Sequence, residues 1–325
     1  MRTLADKQAP PGIALILLVM ALLPAAGSLP EAAGLTPADL SSLSTQPVEP
    51  QVTAELFADT SAVVGGETFT VGVLVKMGDG WHVYWRNPGE GGLATEIEFS
   101  APEGFEAGSL QWPVPERFEQ PGEIVGFGYS DSVLLTARVT APDEIDGGEV
   151  TLTAVADYLA CKDVCIPGRA ELSLELPVAE EAEAHNQELF EHWRKRLPAP
   201  ADVEDAPAEV AVVGRMPPAG GEGRFEITLR WKTPEVENVQ FFPAATAAVS
   251  VEDTALRTAN GTTRIRFRAR VLEGVEPTPR ELETVVAYEL ADETRRGLTV
   301  LIPLRPEETE QDKPDAESSN QKETQ

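Results

Sequence analysis

From Gln51 onward the chain is written in short stretches that switch between apolar and polar residues at every step. In ETFTVGVLVKM, Phe69, Val71, Val73, Val75 and Met77 recur at period two. That spacing puts all five on one face of a strand, and a helix, whose faces repeat every 3.6 residues, would scatter them. WHVYWR, TEIEFS, DSVLLTARVT, VTLTAVADYLA and AELSLELPV are runs of the same kind, separated by breaks rich in glycine and proline. Several short strands at this spacing predict an antiparallel β-sandwich over residues 51–179.

A second region of the same texture spans about 206–305. RFEITLRW and TRIRFRARV alternate, LTVLIPL closes the region, and the Asn260-Gly261 pair between two runs is a strong signal for a two-residue hairpin turn. Between the regions, EEAEAHNQELFEHWRKRL (180–197) predicts a helix. Acidic residues crowd its start, while Arg194, Lys195 and Arg196 crowd its end and complement the helix dipole. Leu189, Trp193 and Leu197 give it an apolar stripe, and Pro198 and Pro200 stop it. The expected architecture is therefore all-β, two sandwiches joined by a helical linker at 180–205. His185 and His192 could share a face of that helix, but with no cysteine or carboxylate pattern around them they read as surface residues.

The ends read differently. Arg2 and Lys7 precede an apolar run of 11 residues, Ile13 to Leu23, followed by small residues. This is the pattern of a secretory signal peptide (1–27), and the run is shorter than the roughly 20 residues needed to span a bilayer; an uncleaved N-terminal anchor is the alternative. Residues 28–50 read as a linker. Residues 306–325 hold seven acidic and two basic residues and no large apolar side chain, so they are expected to be disordered. A soluble protein exported to a compartment where disulfides persist follows. The net charge is −28, which argues against binding nucleic acid or an anionic membrane through the overall field. No glycine-rich phosphate loop, HExxH or GxSxG motif is present.

Two cysteines are too few to build a scaffold, so Cys161 and Cys165, in DYLACKDVCIPG, are free for chemistry. They lie in a loop, CKDVCIPGR, between two predicted strands, where a rigid sandwich displays functional groups. Three uses are open. As a structural staple, a disulfide closing so short a loop contributes only about 2 kcal/mol by chain entropy. As a redox couple, short-loop disulfides are the more easily reduced kind. As a soft metal clamp, two thiolates could hold Cu(I), with His82 or Met77 as a further ligand.

Four blocks then resemble a known family. WHVYWRNPGEGG (81–92), LQWPVPERF (110–118), GFGYSDSVLL (126–135) and YLACKDVCIPG (158–168) are similar, in the same order, to the N-terminal periplasmic domain of the DsbD/ScsB disulfide reductases. The resemblance covers nearly all of 51–179 and implies an immunoglobulin-like sandwich whose cysteine pair cycles between dithiol and disulfide. It implies the role of a thiol:disulfide oxidoreductase component that needs no cofactor. Electrons would come from a membrane-embedded donor of DsbD/CcdA type and pass to periplasmic thioredoxin-like or disulfide isomerase-like proteins. ScsB-like members carry a second β domain and are associated with tolerance of copper stress. Full-length members continue into a membrane domain and a thioredoxin domain; neither is seen in this chain, so the expected donor is a separate protein. Carried over, Cys161 and Cys165 are the redox pair, with Lys162 and Asp163 pulling in opposite directions on which sulfur is the nucleophile. The family's aromatic cap is assigned to GFGYS, with Phe127 or Tyr129 as the lid, and Tyr84 and Trp85 as pocket lining. The alternative places all four aromatics in the core. Asn87, Pro88 and Gly89 read as a turn, and Trp112 and Pro113 as packing.

Overall fold

A computed structural model describes residues 51–120, 122–215, 221–233, 236–244, 248–272 and 280–304. The expected signal peptide, linker and acidic tail lie outside these. Before the helix come β1 (Val52–Ala58), β2 (Thr68–Met77), β3 (His82–Gly89), β4 (Glu96–Ser100), β5 (Glu106–Ala107), β6 (Glu116–Gln120), β7 (Ile124–Ser130), β8 (Ser132–Thr140), β9 (Glu149–Cys161) and β10 (Cys165–Pro177). After helix α1 (Gln187–Arg194) come β11 (Ala199–Pro200), β12 (Ala208–Arg215), β13 (Glu222–Trp231), β14 (Val236–Pro243), β15 (Val249–Ala259), β16 (Thr262–Val271), β17 (Glu281–Leu290) and β18 (Arg295–Pro303).

The first region folds into two sheets, β1-β2-β8-β5 and β10-β9-β3-β7-β6, with β4 taking over from β3 along β9. The second forms β11-β18-β17-β14 and β12-β13-β16-β15. Between the named strands pairing is antiparallel except for the two-residue match of β11 with β18. The expected inward face of β2 is buried: Val73 and Val75 are fully enclosed, and Phe69, Val71 and Met77 nearly so. On the far face of the second sandwich, the period-two arginines of β16 pair with carboxylates, Arg266 with Glu226 at 2.5 Å and Arg268 with Glu222 at 2.7 Å. Alternation thus sends the apolar half of each strand inward and the charged half to water.

The helix is shorter than expected. Residues 180–186 instead pair with the β1–β2 connection, where Ser61 N–H donates to Glu183 O at 2.9 Å and His185 N–H to Asp59 O at 2.8 Å. Those bonds tie down backbone that the acidic run would otherwise put in a first turn. What remains of the helix is no free linker, because Phe190 and Trp193 are buried in the first sandwich's core. His185 and His192 are exposed, as expected.

The two sandwiches share that core. Phe242 of β14 meets Trp85 (6.2 Å between ring centroids) and Phe127 (5.0 Å), and Arg86 makes a two-pronged ion pair with Glu283. Arg295 Nη2 donates to Pro115 O at 2.7 Å, and Val114 N–H to Arg196 O at 2.9 Å. Asn87 also belongs to this seam: its Nδ2 donates to Pro243 O at 2.6 Å, while its Oδ1 accepts from Gly89 N–H, and the expected turn at 87–89 is instead the irregular end of β3, where the register with β7 shifts.

Candidate functional site

The cysteine pair sits at the tip of the β9–β10 hairpin, with Cys161 and Cys165 directly opposite each other and joined by a disulfide, Cα to Cα 4.1 Å. The loop is tighter than expected, because only Lys162–Val164 lies outside the strands. Pro167 and Gly168 fall within β10 rather than ending the loop. Proline is tolerated there because β10 is an edge strand. Within the turn Lys162 N–H donates to Val164 O at 3.1 Å. The Lys162 ammonium reaches across to Asp79 O at 2.8 Å and anchors the tip to the β2–β3 turn. The two sulfur-bearing residues are not equivalent: Cys161 is 1% exposed, whereas Cys165 is exposed.

Strand register decides which side chains share the disulfide's face, since paired residues point the same way and neighbours along a strand point opposite ways. Cys161 pairs with His82; His82 pairs with Ser130 and Tyr84 with Gly128; Gly128 pairs with Glu116, Gly126 with Phe118 and Ile124 with Gln120. The face therefore carries Cys165, Cys161, His82, Tyr84, Phe118 and Gln120. Gly126 leaves the space that the Phe118 ring fills, and Gly92, at φ 108, lies against the Tyr84 ring; a Cβ at either position would overlap that ring. The Phe118 and His82 rings stand 4.2 Å apart, and Tyr84 is 5.4 Å from His82.

Tyr84 is fully enclosed and its hydroxyl donates to Cys161 Sγ at 3.2 Å. Gln120 Nε2 donates in turn to the Tyr84 oxygen at 2.5 Å and lies 3.4 Å from His82 Nε2. Burial lowers the His82 pKa and so favours the neutral ring, whose Nε2 accepts from that amide in the tautomer that leaves it bare.

Of the expected cap and pocket residues, the fold brings Tyr84 to the sulfurs and not the other three. Phe127 and Tyr129 have the opposite parity on β7. Phe127 packs into the seam against Phe242, and Tyr129 is buried with its hydroxyl bonded to Pro113 O at 2.7 Å, its pKa raised well above the usual value by burial. Trp85 is core, T-shaped against Phe242. Phe118 and Gln120 were not singled out in the sequence, although Phe118 ends one of the four recognised blocks. Pairing 116–120 with 124–130 about the Pro-Gly step would have set Phe118 across from Gly126 and excluded Phe127. Among the described residues no group of three or more His, Cys, Asp or Glu side chains converges on a point, and Met77 is buried in the core.

Fold and site together define a class: an immunoglobulin-like sandwich presenting a half-buried disulfide at a hairpin tip. The family described as "Thiol:disulfide interchange protein DsbD, N-terminal" matches residues 51–177, and this part of the chain is a DsbD-type N-terminal domain. The crystal structure of the N-terminal periplasmic domain of ScsB from Proteus mirabilis is 20% identical, covers 80% of this chain and 96% of that chain, and superimposes with a TM-score of 0.56. At that identity it speaks for the fold alone, and its coverage runs beyond residue 177 into the second sandwich. A protein of unknown function from Porphyromonas gingivalis W83 covers 78% of this chain and all of that chain, at 10% identity and a TM-score of 0.23, and carries no argument. No curated protein matches the chain. Among the described residues no helix is long and apolar enough to cross a membrane.

Proposed function

We propose that the protein is an exported thiol–disulfide exchange module that receives reducing equivalents from a separate membrane-embedded donor of DsbD/CcdA type. It passes them to periplasmic thioredoxin-like or disulfide isomerase-like proteins. The observation that carries this reading is the asymmetry of the disulfide, with one sulfur-bearing residue open to a partner and the other buried beneath a hydrogen-bonding hydroxyl.

The exchange runs as follows. A donor thiolate attacks Cys165 Sγ, the S–S bond breaks, and its electron pair leaves on Cys161 as a thiolate facing the Tyr84 hydroxyl. The donor's second thiolate then attacks its own sulfur in the mixed disulfide and releases Cys165. The donor leaves oxidised, and Cys161 and Cys165 end as thiols carrying the two protons the donor gave up. Delivery to an oxidised partner is the reverse sequence. Phe118, on the disulfide's face with its ring tilted against His82, takes the shielding part expected of Phe127 or Tyr129. The staple reading is weakened by the hairpin itself, whose strands are paired at twelve positions besides the cysteines.

The test is the reduction potential of the Cys161–Cys165 couple, by equilibration in graded thiol buffers and trapping of free thiols. A value between about −180 and −270 mV, reached quickly, is expected of an exchange protein. A value below about −300 mV with slow exchange marks a structural disulfide and ends this reading.

A further inference from the structure

The leaving sulfur of the exchange is the buried one, and a thiolate in a buried site is costly unless something donates to it. Among the described residues the Tyr84 hydroxyl is the donor bonded to Cys161 Sγ. The nearby Lys162 ammonium points away to Asp79 O. A phenol has a single proton, and its direction is set by what its oxygen accepts. Here the oxygen accepts from the Gln120 amide, at 2.5 Å. The same nitrogen lies 3.4 Å from His82 Nε2, which accepts its second hydrogen in the neutral tautomer that leaves Nε2 bare, and burial disfavours the doubly protonated ring. The amide is thereby oriented nitrogen-first toward Tyr84, so the phenolic proton has one remaining direction, the sulfur.

We propose that Gln120 is a positioning residue for the exchange: its amide holds the Tyr84 proton on Cys161 Sγ and stabilises the thiolate that leaves when a partner attacks Cys165. This rests on the exchange reading. A disulfide sulfur is a weak acceptor and a thiolate a strong one, so the Tyr84–Cys161 bond strengthens as the S–S bond breaks. The negative charge that then builds on the phenolic oxygen is met by the Gln120 N–H, in a chain whose bonds reinforce one another. Gln120 lies two residues beyond Phe118 on the same strand face. A displacement of β6 would therefore carry the Phe118 ring away from His82 and the amide away from Tyr84 together.

Dithiothreitol serves as the probe, with the rate of disulfide reduction read by thiol trapping in the full chain. Tyr84→Phe is expected to slow reduction about tenfold or more, the effect of one charge-assisted hydrogen bond. Gln120→Leu is expected to slow it severalfold. Gln120→Glu should match Tyr84→Phe, because a carboxylate takes the phenolic proton away from sulfur. The double variant Tyr84→Phe/Gln120→Leu should be no slower than Tyr84→Phe, since Gln120 acts only through Tyr84. In a Cys165→Ser background Cys161 is the lone thiol, and its titration by thiolate absorbance should move upward with Gln120→Leu and not move further once Tyr84 is Phe. Altered access to the disulfide would not shift that titration. Additive rates in the double variant, or an unshifted Cys161 titration, overturn the proposal while leaving fast wild-type reduction, and with it the exchange reading, intact. A wild-type disulfide that dithiothreitol leaves unreduced in the native protein sinks the exchange reading, and this inference with it.

Discussion

Two long hairpins of the molecule are closed in different ways. β15 and β16 turn through Asn260 and Gly261, at φ 51 and 67, with Ala259 paired to Thr262 on either side. This is a turn whose two residues supply all the backbone freedom it requires. β9 and β10 turn through Lys162–Val164, without a positive φ, and carry a covalent bond across the last pair. The chain can therefore end a ribbon with turn chemistry alone. Along the β9–β10 ribbon, twelve register pairs beyond the cysteines and the Lys162–Asp79 bond accompany the disulfide. The disulfide lies on the rim of a face cleared by glycine and lined with rings.

The largest expected effect separates the two sulfurs themselves. In Cys161→Ser the remaining thiol, Cys165, is exposed; in Cys165→Ser the remaining thiol is buried beside Tyr84. The native Cys161→Ser protein should react with an aromatic disulfide at least about tenfold faster than native Cys165→Ser, since access to the remaining sulfur favours it by more than the Tyr84 bond favours the buried one. The two rates should converge in denaturant, and a mixed disulfide with a partner should accumulate in Cys161→Ser alone. Equal native rates would erase the asymmetry on which the proposed exchange depends.

A smaller effect is expected when the covalent bond is removed altogether. Cys161→Ser/Cys165→Ser opens a loop of five residues, worth about 2 kcal/mol on the chain-entropy estimate. Gly261→Ala places a Cβ at positive φ in the other hairpin and should cost about 1 kcal/mol. Urea unfolding should give both variants one cooperative transition and an unchanged β-sheet spectrum. A double serine variant that fails to fold would mean the disulfide is the closure of its hairpin after all, as Asn-Gly is of the other.

The same contrast explains what could be read in the sequence. Alternation in β2 named the buried face residue by residue, and Asn260-Gly261 named its turn, because both signals are local. The cysteine pair was legible for the same reason. Phe127 was expected on the disulfide's face and Phe118 was not, because choosing between them depends on how β6 pairs with β7 and how β7 pairs with β3, and a shift of one residue reverses every side chain. Phe127 was also claimed by a partner that lies far away in sequence, Phe242 of the second sandwich. The helix start failed similarly: helical propensity at 180–186 yields to backbone bonds with residues 59–61, which the local pattern does not encode.

The smallest effect concerns protons, and it too divides the two sandwiches, since His82, His185 and His192 are the histidines of the chain and none follows residue 192. Burial lowers the His82 pKa below its ordinary 6.5, and burial together with Arg196 and Lys195 lowers that of His192. For a base depressed on folding, the unfolded chain takes up its proton first as pH falls. The folded state is thus favoured in full above about 6.5 and loses that advantage as pH drops through the lower, folded value. Urea midpoints should therefore fall between neutral and mildly acidic pH. His82→Gln should flatten the profile more than His192→Gln, because His82 is the more deeply buried of the two. Below the folded pKa of His82 the ring no longer accepts from Gln120, so reduction by dithiothreitol, corrected for the thiolate fraction of the reagent, should slow over the same range in wild type and not in His82→Gln. A profile that His82→Gln leaves unchanged would remove His82 from the site and return it to the role of a packed ring between Phe118 and Tyr84.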